Sequence, residues 1–246
     1  MIVAVIPTLH QPPTLKAMLE VLDQDGIHYI IKDTTGCEPR IYEWWNELCD
    51  MARFLGATEI AVLNDDIVLC PGAIPALVEA LRSDDEVAVV SPTFGPPCVN
   101  DETSLVYSEG HWWWWSTPGF TGWNFVFKAE LDLPRFDEGY HWYGGDNQFE
   151  EDVRLSGWKV AGVKGVYCDH LGSYSTRKQP PAGLSDMTQH DRARWAASYR
   201  GPGTRPAWPT HPGDRPWAEC DGPPPPPDTY ARYKWEQRER RLESHA

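Results

Sequence analysis

The apolar run Ala61–Leu69 is interrupted by Asn64-Asp65-Asp66, three polar positions inside what otherwise reads as a buried strand and its continuation. Carboxylates placed there lose hydration, and something must compensate them. One answer is a strand-end turn closed by an Asx hydrogen bond. The other is a divalent cation bridging two phosphates, held by Asp66 with Asn64 or Asp65 assisting. Hard oxygen donors of this kind suit Mg²⁺ or Mn²⁺. A second cluster runs from Phe136-Asp137-Glu138 through Gly144-Gly145-Asp146 to Glu151-Asp152, then to Gly157 and on to His170. Asp146 follows two glycines at a predicted helix start, where the helix dipole and free N–H groups favour a carboxylate. An ordinary N-cap aspartate fits the same place. His170 closes an apolar stretch, where a packed histidine is as much at home as a ligand.

The elements that must position these residues are legible from periodicity. Strands are predicted over Ile2–Ile6, His28–Lys32, Glu59–Leu63 and Val87–Ser91, with helices over Thr14–Gln24, Glu43–Leu55 and Gly72–Ser83 between them. A strand over Trp123–Lys128, a helix over Asp146–Ser156 and a strand over Gly162–Tyr167 follow. Strands alternating with helices of this length predict βαβ units on a mostly parallel, Rossmann-like sheet flanked by helices. Ligands in such sheets bind at the carboxyl ends of the strands. Pro7-Thr8, Asp33-Thr34-Thr35 and Asn64-Asp65-Asp66 all fall there. From residue 179 the composition turns to Pro, Gly, Arg and Trp, with five prolines at Pro223–Pro227. The expected division is therefore a catalytic body, 1–178, and an irregular extension, 179–246, ending in a helix over Thr229–Glu243.

Charge sharpens this division. The 246 residues carry 36 acids and 22 bases, net −14. Residues 1–177 hold 27 acids and 11 bases, while the remainder is slightly basic with 9 and 11. An acidic body argues against general nucleic-acid affinity, which relies on Lys and Arg against phosphate. The six cysteines show no CxxC spacing and are expected to be free thiols. Met1-Ile-Val-Ala-Val-Ile-Pro lacks a basic leader and reads as a first strand, and no apolar run reaches the roughly 20 residues of a membrane span. The expected location is the cytoplasm. An excess of Arg over Lys (15 to 7), with the Trp and Pro load, points to a GC-rich coding source, an actinobacterium or one of its phages, and then to the host cytoplasm.

Taken in order, Ile6-Pro7-Thr8, Asp33, Asn46 in Trp44-Trp45-Asn46-Glu47, Asn64-Asp65-Asp66 and the Phe136-Asp137-Glu138 block resemble the inverting family 2 glycosyltransferases of GT-A fold. The resemblance covers residues 1–177, and its later spacing is met by 11 residues from Asp146 to Gly157 and 13 from Gly157 to His170. That spacing selects Asp146 over Glu151-Asp152 as the catalytic carboxylate. The resemblance implies a nucleotide-sugar donor, with UDP the expected nucleotide, bound by Pro7, Thr8, Asp33, Asn46, Asn64, Asp65 and Gly122. It further implies Mn²⁺ or Mg²⁺ on Asp66 and His170, and Asp146 as the general base of a single inverting displacement. Gly145 stands where the family usually has Glu, and Asp152 stands where an arginine is expected. Acceptor binding is assigned to Glu138 and to Trp113 and Trp114 of the run Trp112–Trp115, whose indoles offer stacking faces. The acceptor is a glycan, a protein or a modified nucleobase. A nucleotidyltransferase of related fold is an alternative, although His10-Gln11-Pro12-Pro13-Thr14 is not a Gly-rich, basic phosphate loop. A non-catalytic carbohydrate- or protein-binding module using the tryptophan run is another.

Overall fold

The computed structural model describes residues 1–108, 120–170 and 180–198. Five strands alternate with three helices at the start: β1 (Ile2–Thr8), α1 (Pro13–Gln24), β2 (His28–Asp33), α2 (Ile41–Phe54), β3 (Glu59–Leu63), the short β4 (Ile67–Val68), α3 (Ala73–Arg82) and β5 (Val87–Phe94). Then come β6 (Cys98–Tyr107), β7 (Asn124–Lys128), α4 (Gly145–Leu155), β8 (Lys159–His170) and α5 (Leu184–Ser198). Pro13 opens α1 where its missing N–H is no loss.

Among the described residues the strands form one eight-stranded sheet, ordered β2-β1-β3-β7-β5-β8-β4, with β6 paired to β8. β2, β1, β3, β5 and β8 run one way, while β7, β4 and β6 oppose them. The predicted α/β architecture of GT-A type is the one observed. Alternate residues of a strand face opposite sides of a sheet, and here both sides are covered. Ala4 and Ile6 of β1 and Ala61 and Leu63 of β3 pack with α1 and α3. Val3, Val5, Ile60 and Val62 pack with α2, with Phe149 and Val153 of α4, and with Trp195 of α5. This two-sided burial is why β1, β3 and β5 read as continuous apolar runs.

Two elements were not anticipated. β6 is a polar, largely exposed strand held to β8 by backbone pairing, and its sequence carries no apolar alternation. α5 lies in the segment assigned to the extension, yet it sends Trp195, 3% exposed, into the core beside Tyr140 and Phe136. Trp112–Trp115, the Pro223–Pro227 run and the expected terminal helix lie outside the described residues. No helix among the described residues is long and apolar enough to cross a membrane.

Truncating a buried tryptophan leaves a cavity as well as losing its transfer free energy. Trp195→Ala is expected to destabilise the chain by about 3–5 kcal/mol, read as a lowered midpoint in urea. A loss below about 1 kcal/mol would mean that α5 contributes little to the core.

Candidate functional site

The carboxyl ends of β1, β2 and β3 lie side by side, since Thr8 pairs with Asp33 and Val5 with both Ile30 and Val62. Thr8 is buried, and its hydroxyl donates to Asp65 Oδ2 at 2.7 Å while accepting from the Gln11 N–H at 3.0 Å. The Thr14 hydroxyl donates to the Asp65 carbonyl at 3.0 Å. Asp65 therefore belongs to a buried clamp between β1, α1 and β3. Burial pushes its carboxyl up to about 6, with the neighbouring Asp66 adding to the rise and the Thr8 hydroxyl opposing it. Asp33 is exposed, and its carboxylate accepts from the Thr35 N–H at 2.9 Å and from Gln11 Nε2 at 2.7 Å. The bonds from Thr35, with that from Gln11, hold Asp33 below the usual carboxylate range. Gln11 reaches both partners from a left-handed backbone, φ 43°. Its role gave no sequence signal, since only the folded loop brings it over Asp33.

Asp66 and His170 are brought together by the antiparallel pairing of β4 with β8, in which Ile67 faces His170. His170 Nε2 lies 2.9 Å from Asp66 Oδ1, and both side chains are largely buried. The Trp123 ring stacks on the His170 ring, 5.3 Å between centroids and 10° between planes. The Asn64 N–H donates to the Trp123 carbonyl at 3.0 Å, and Asn64 Oδ1 is buried without a hydrogen-bond partner. A carboxylate oxygen facing an imidazole nitrogen is a donor pair that Mn²⁺ accepts, and the buried Asn64 amide oxygen, two residues from Asp66, lacks a hydrogen-bond partner. The residues present fit such an ion.

Asp146 lies in the first turn of α4, after Gly144 at φ +85°. Its Oδ1 accepts from Asn147 Nδ2 at 3.0 Å and is 3.3 Å from the Tyr42 hydroxyl, which lies equally near the Trp142 carbonyl. Burial pushes the Asp146 carboxyl up to about 6, opposed by the backbone N–H groups around it and by Tyr42. Two glycines make this packing possible. A Cβ on Gly122 would lie 1.7 Å from Asp146 Oδ2, and one on Gly145 would lie 2.7 Å from the Tyr42 ring. The ring of Tyr42 thus occupies the space that a side chain at position 145 would need. Gly122, assigned from sequence to the donor, has Asp146 as its neighbour. Its successor Trp123 is the residue stacked on His170, so one dipeptide joins the Asp66–His170 pair to Asp146.

Other expected residues are engaged elsewhere. Asn46 is buried, and its Nδ2 donates to the Phe136 carbonyl at 2.9 Å and to Glu138 Oε1 at 2.8 Å. Its Oδ1 accepts from the Phe136 N–H at 3.1 Å. It pins the Phe136–Glu138 turn from behind. Pro7 is an interior residue of β1, paired with Lys32. Trp113 and Trp114 lie outside the described residues. Tyr42 and Thr14 escaped sequence reading because each acts on a residue that is remote in the chain. A separate group with metal-ligand chemistry, His141, His190 and Asp191, has its donor atoms within 4.8 Å of one another. The two rings are stacked there, 4.5 Å apart and 11° from parallel. In-plane lone pairs on parallel rings do not converge on one ion unless a ring turns.

No protein-family profile matches the sequence, and no curated protein matches it by sequence. The fold is similar to that of a mannosyltransferase, PcManGT from Pyrobaculum calidifontis, solved in complex with GDP-Man and Mn²⁺. The TM-score is 0.52 at 15% identity, covering 82% of this chain and 65% of that one. This chain therefore spans slightly less than two thirds of that protein's length. Lesser likenesses are to A197 from STIV, with TM-score 0.46 at 13% identity over 69% and 85% of the two chains, and to mannose-1-phosphate geranyltransferase from Thermus thermophilus, with TM-score 0.40 at 14% over 68% and 75%. The mannosyltransferase likeness establishes the fold as GT-A-like.

The Asp146 environment has a thermodynamic consequence. Its carboxyl titrates at about 6 in the folded chain against an ordinary value of 3.8, so the native state holds the proton more tightly than the unfolded state does. The contribution to stability is full below the unfolded value, falls as pH rises between the two values, and is absent above them. Asp146→Asn keeps an oxygen for Tyr42 and Asn147 but carries no charge. It is expected to be more stable than the parent at about pH 7.5, with the gap closing toward about pH 4, by denaturant titration at both. A pH-independent difference would contradict the burial account.

Proposed function

We propose that the chain is a metal-dependent glycosyltransferase that moves a sugar from a nucleoside-diphosphate sugar to an acceptor hydroxyl with inversion. The observation that carries this reading is the Gly122-Trp123 dipeptide, which lies against Asp146 on one residue and against His170 on the next. The residues assigned to the cation and the carboxylate assigned as base thus contact adjacent residues of the chain, just beyond the carboxyl end of β3. In this reading Asp66 and His170, with Asn64 assisting, hold Mn²⁺ or Mg²⁺. When bound, the ion supplies Lewis-acid stabilisation of the departing diphosphate.

The remaining roles belong to the chain itself. Asp33, presented by Gln11 and Thr35, faces the nucleoside. Pro7, Thr8 and Asp65 form the buried floor, and UDP is the expected nucleotide. Asp146 Oδ2, against Gly122, takes the proton of the acceptor hydroxyl as it attacks the anomeric carbon. Tyr42 and Asn147 hold Oδ1 and leave that second oxygen to act. One base suffices for a single inverting displacement, which is what distinguishes transfer from acid–base hydrolysis by two placed carboxyls. Glu138, Trp113 and Trp114 are assigned to the acceptor, a glycan, protein or modified nucleobase. The loop after β1 holds no glycine, arginine or lysine between Leu9 and Thr14, which disfavours nucleotidyl transfer. The proposed site of action is the cytoplasm, where nucleotide sugars are available.

Three outcomes are expected. Asp146→Asn lowers transfer by roughly 10²–10⁴-fold while donor affinity by calorimetry is unchanged. In the parent enzyme, kcat/KM rises with pH through about 6 and then levels as Asp146 ionises. Asp66→Ala loses the Mn²⁺-dependent thermal stabilisation by UDP or GDP. Near-normal transfer by Asp146→Asn would remove it as the base, and nucleotide binding unaffected by EDTA would remove the metal.

A further inference from the structure

α5 is attached to the candidate site by one face. His190, Asp191, Arg194 and Trp195 recur at helical spacing, and all four reach the segment Asp137–Tyr143 or the core beneath it. His190 Nε2 lies 2.9 Å from the Gly139 carbonyl. The Arg194 guanidinium forms a two-point ion pair with Asp137 and lies across Gly139, where a Cβ would fall 2.0 Å from Cζ. Asp191 is fully buried, at 0% exposure. Its Oδ1 accepts from the His141 N–H, and its Oδ2 accepts from the Trp142 and Tyr143 N–H groups, each at 2.8 Å.

Three consecutive backbone N–H groups turned onto one buried carboxylate fix the orientation of a turn, because each would otherwise be an unsatisfied buried donor. The turn leads directly into Gly144-Gly145-Asp146. It also presents the Trp142 carbonyl to the Tyr42 hydroxyl, the same hydroxyl that lies 3.3 Å from Asp146 Oδ1. The His141 carbonyl accepts from the Ile41 N–H at 3.3 Å, tying the turn to the start of α2. We propose that Asp191 is a positioning residue for transfer, holding the His141–Tyr143 turn so that Asp146 is set against Gly122 and Tyr42 against Gly145. The helix that carries it makes residues beyond the predicted catalytic body part of the active-site scaffold. This inference rests on the assignment of Asp146 as the base.

The test uses the full chain with Asp191→Asn and Asp191→Glu, each checked for folding by circular dichroism. Asp191→Asn should lose hydrogen-exchange protection at the amides of residues 141–143. It should lower kcat by about 10–100-fold with donor KM unchanged, and move the ¹³C carboxyl titration of Asp146 down toward the ordinary carboxylate range. Asp191→Glu, which keeps the carboxylate, should lie between Asp191→Asn and the parent in all three. Unchanged protection, or lost protection with kcat and the Asp146 titration both unmoved, overturns the proposal. Should Asp191→Asn not fold, Asp191→Glu decides: a carboxylate one methylene longer displaces the turn, and an unchanged kcat with an unchanged Asp146 titration overturns it. If Asp146→Asn itself transferred sugar normally, the assignment of the base would fall. The titration and exchange measurements would still decide whether Asp191 positions Asp146.

Discussion

Coverage of the sheet on both faces is the constraint from which the site follows. With α1 and α3 on one side and α2, α4 and α5 on the other, the interiors of the covered strands hold mostly apolar side chains, and a buried polar one such as Ser91 of β5 is hydrogen-bonded, here to the Thr121 N–H. Asp65 and Asp66 follow the end of β3 and Asp146 lies in the first turn of α4, and each meets a different fate. Asp65 is clamped by Thr8 and serves the architecture. Asp66 is paired with His170, a partner that a cation can share. Asp146 is ringed by Tyr42, Asn147 and Gly122, and burial raises its carboxyl while Tyr42 and the surrounding N–H groups oppose the rise. Burying carboxylates without compensation is costly, and each of these three is met by a nearby partner.

Close approach, more than any hydrogen bond, sets the local geometry. Gly122, Gly139 and Gly145 each stand where a methyl group would collide with a functional side chain: Asp146, Arg194 and Tyr42 respectively. No side chain fits at position 145, because the Tyr42 ring fills that space. The strongly acidic body bears on the ligand as well. A diphosphate approaching residues that carry 27 acids and 11 bases meets net repulsion. On the proposed reading, a divalent cation held by Asp66 and His170 would offset that repulsion as well as supply its chemistry.

Much of this was legible in the chain itself. The alternation of apolar strands and helices defines the α/β architecture. The spacing from Asp146 through Gly157 to His170 singles out two residues that the fold brings to either side of one dipeptide. What pattern alone could not reveal was the partner of each residue. Asn46 has the right position in α2, but its amide is bound to the Phe136–Glu138 turn. β6 has no apolar alternation because it is an exposed strand held by its backbone. α5 has only a weak apolar stripe because its inward face sets Met187 and Trp195 beside Asp191 and Arg194. Periodicity reports burial in oil-like surroundings, and it is silent where a face is buried through hydrogen bonds. The sequence by itself determined the sheet and the acids at its edge. Tertiary structure decided which acid is clamped by Thr8, which is paired with His170 and which lies against Tyr42, because those contacts join residues 57 or 104 positions apart.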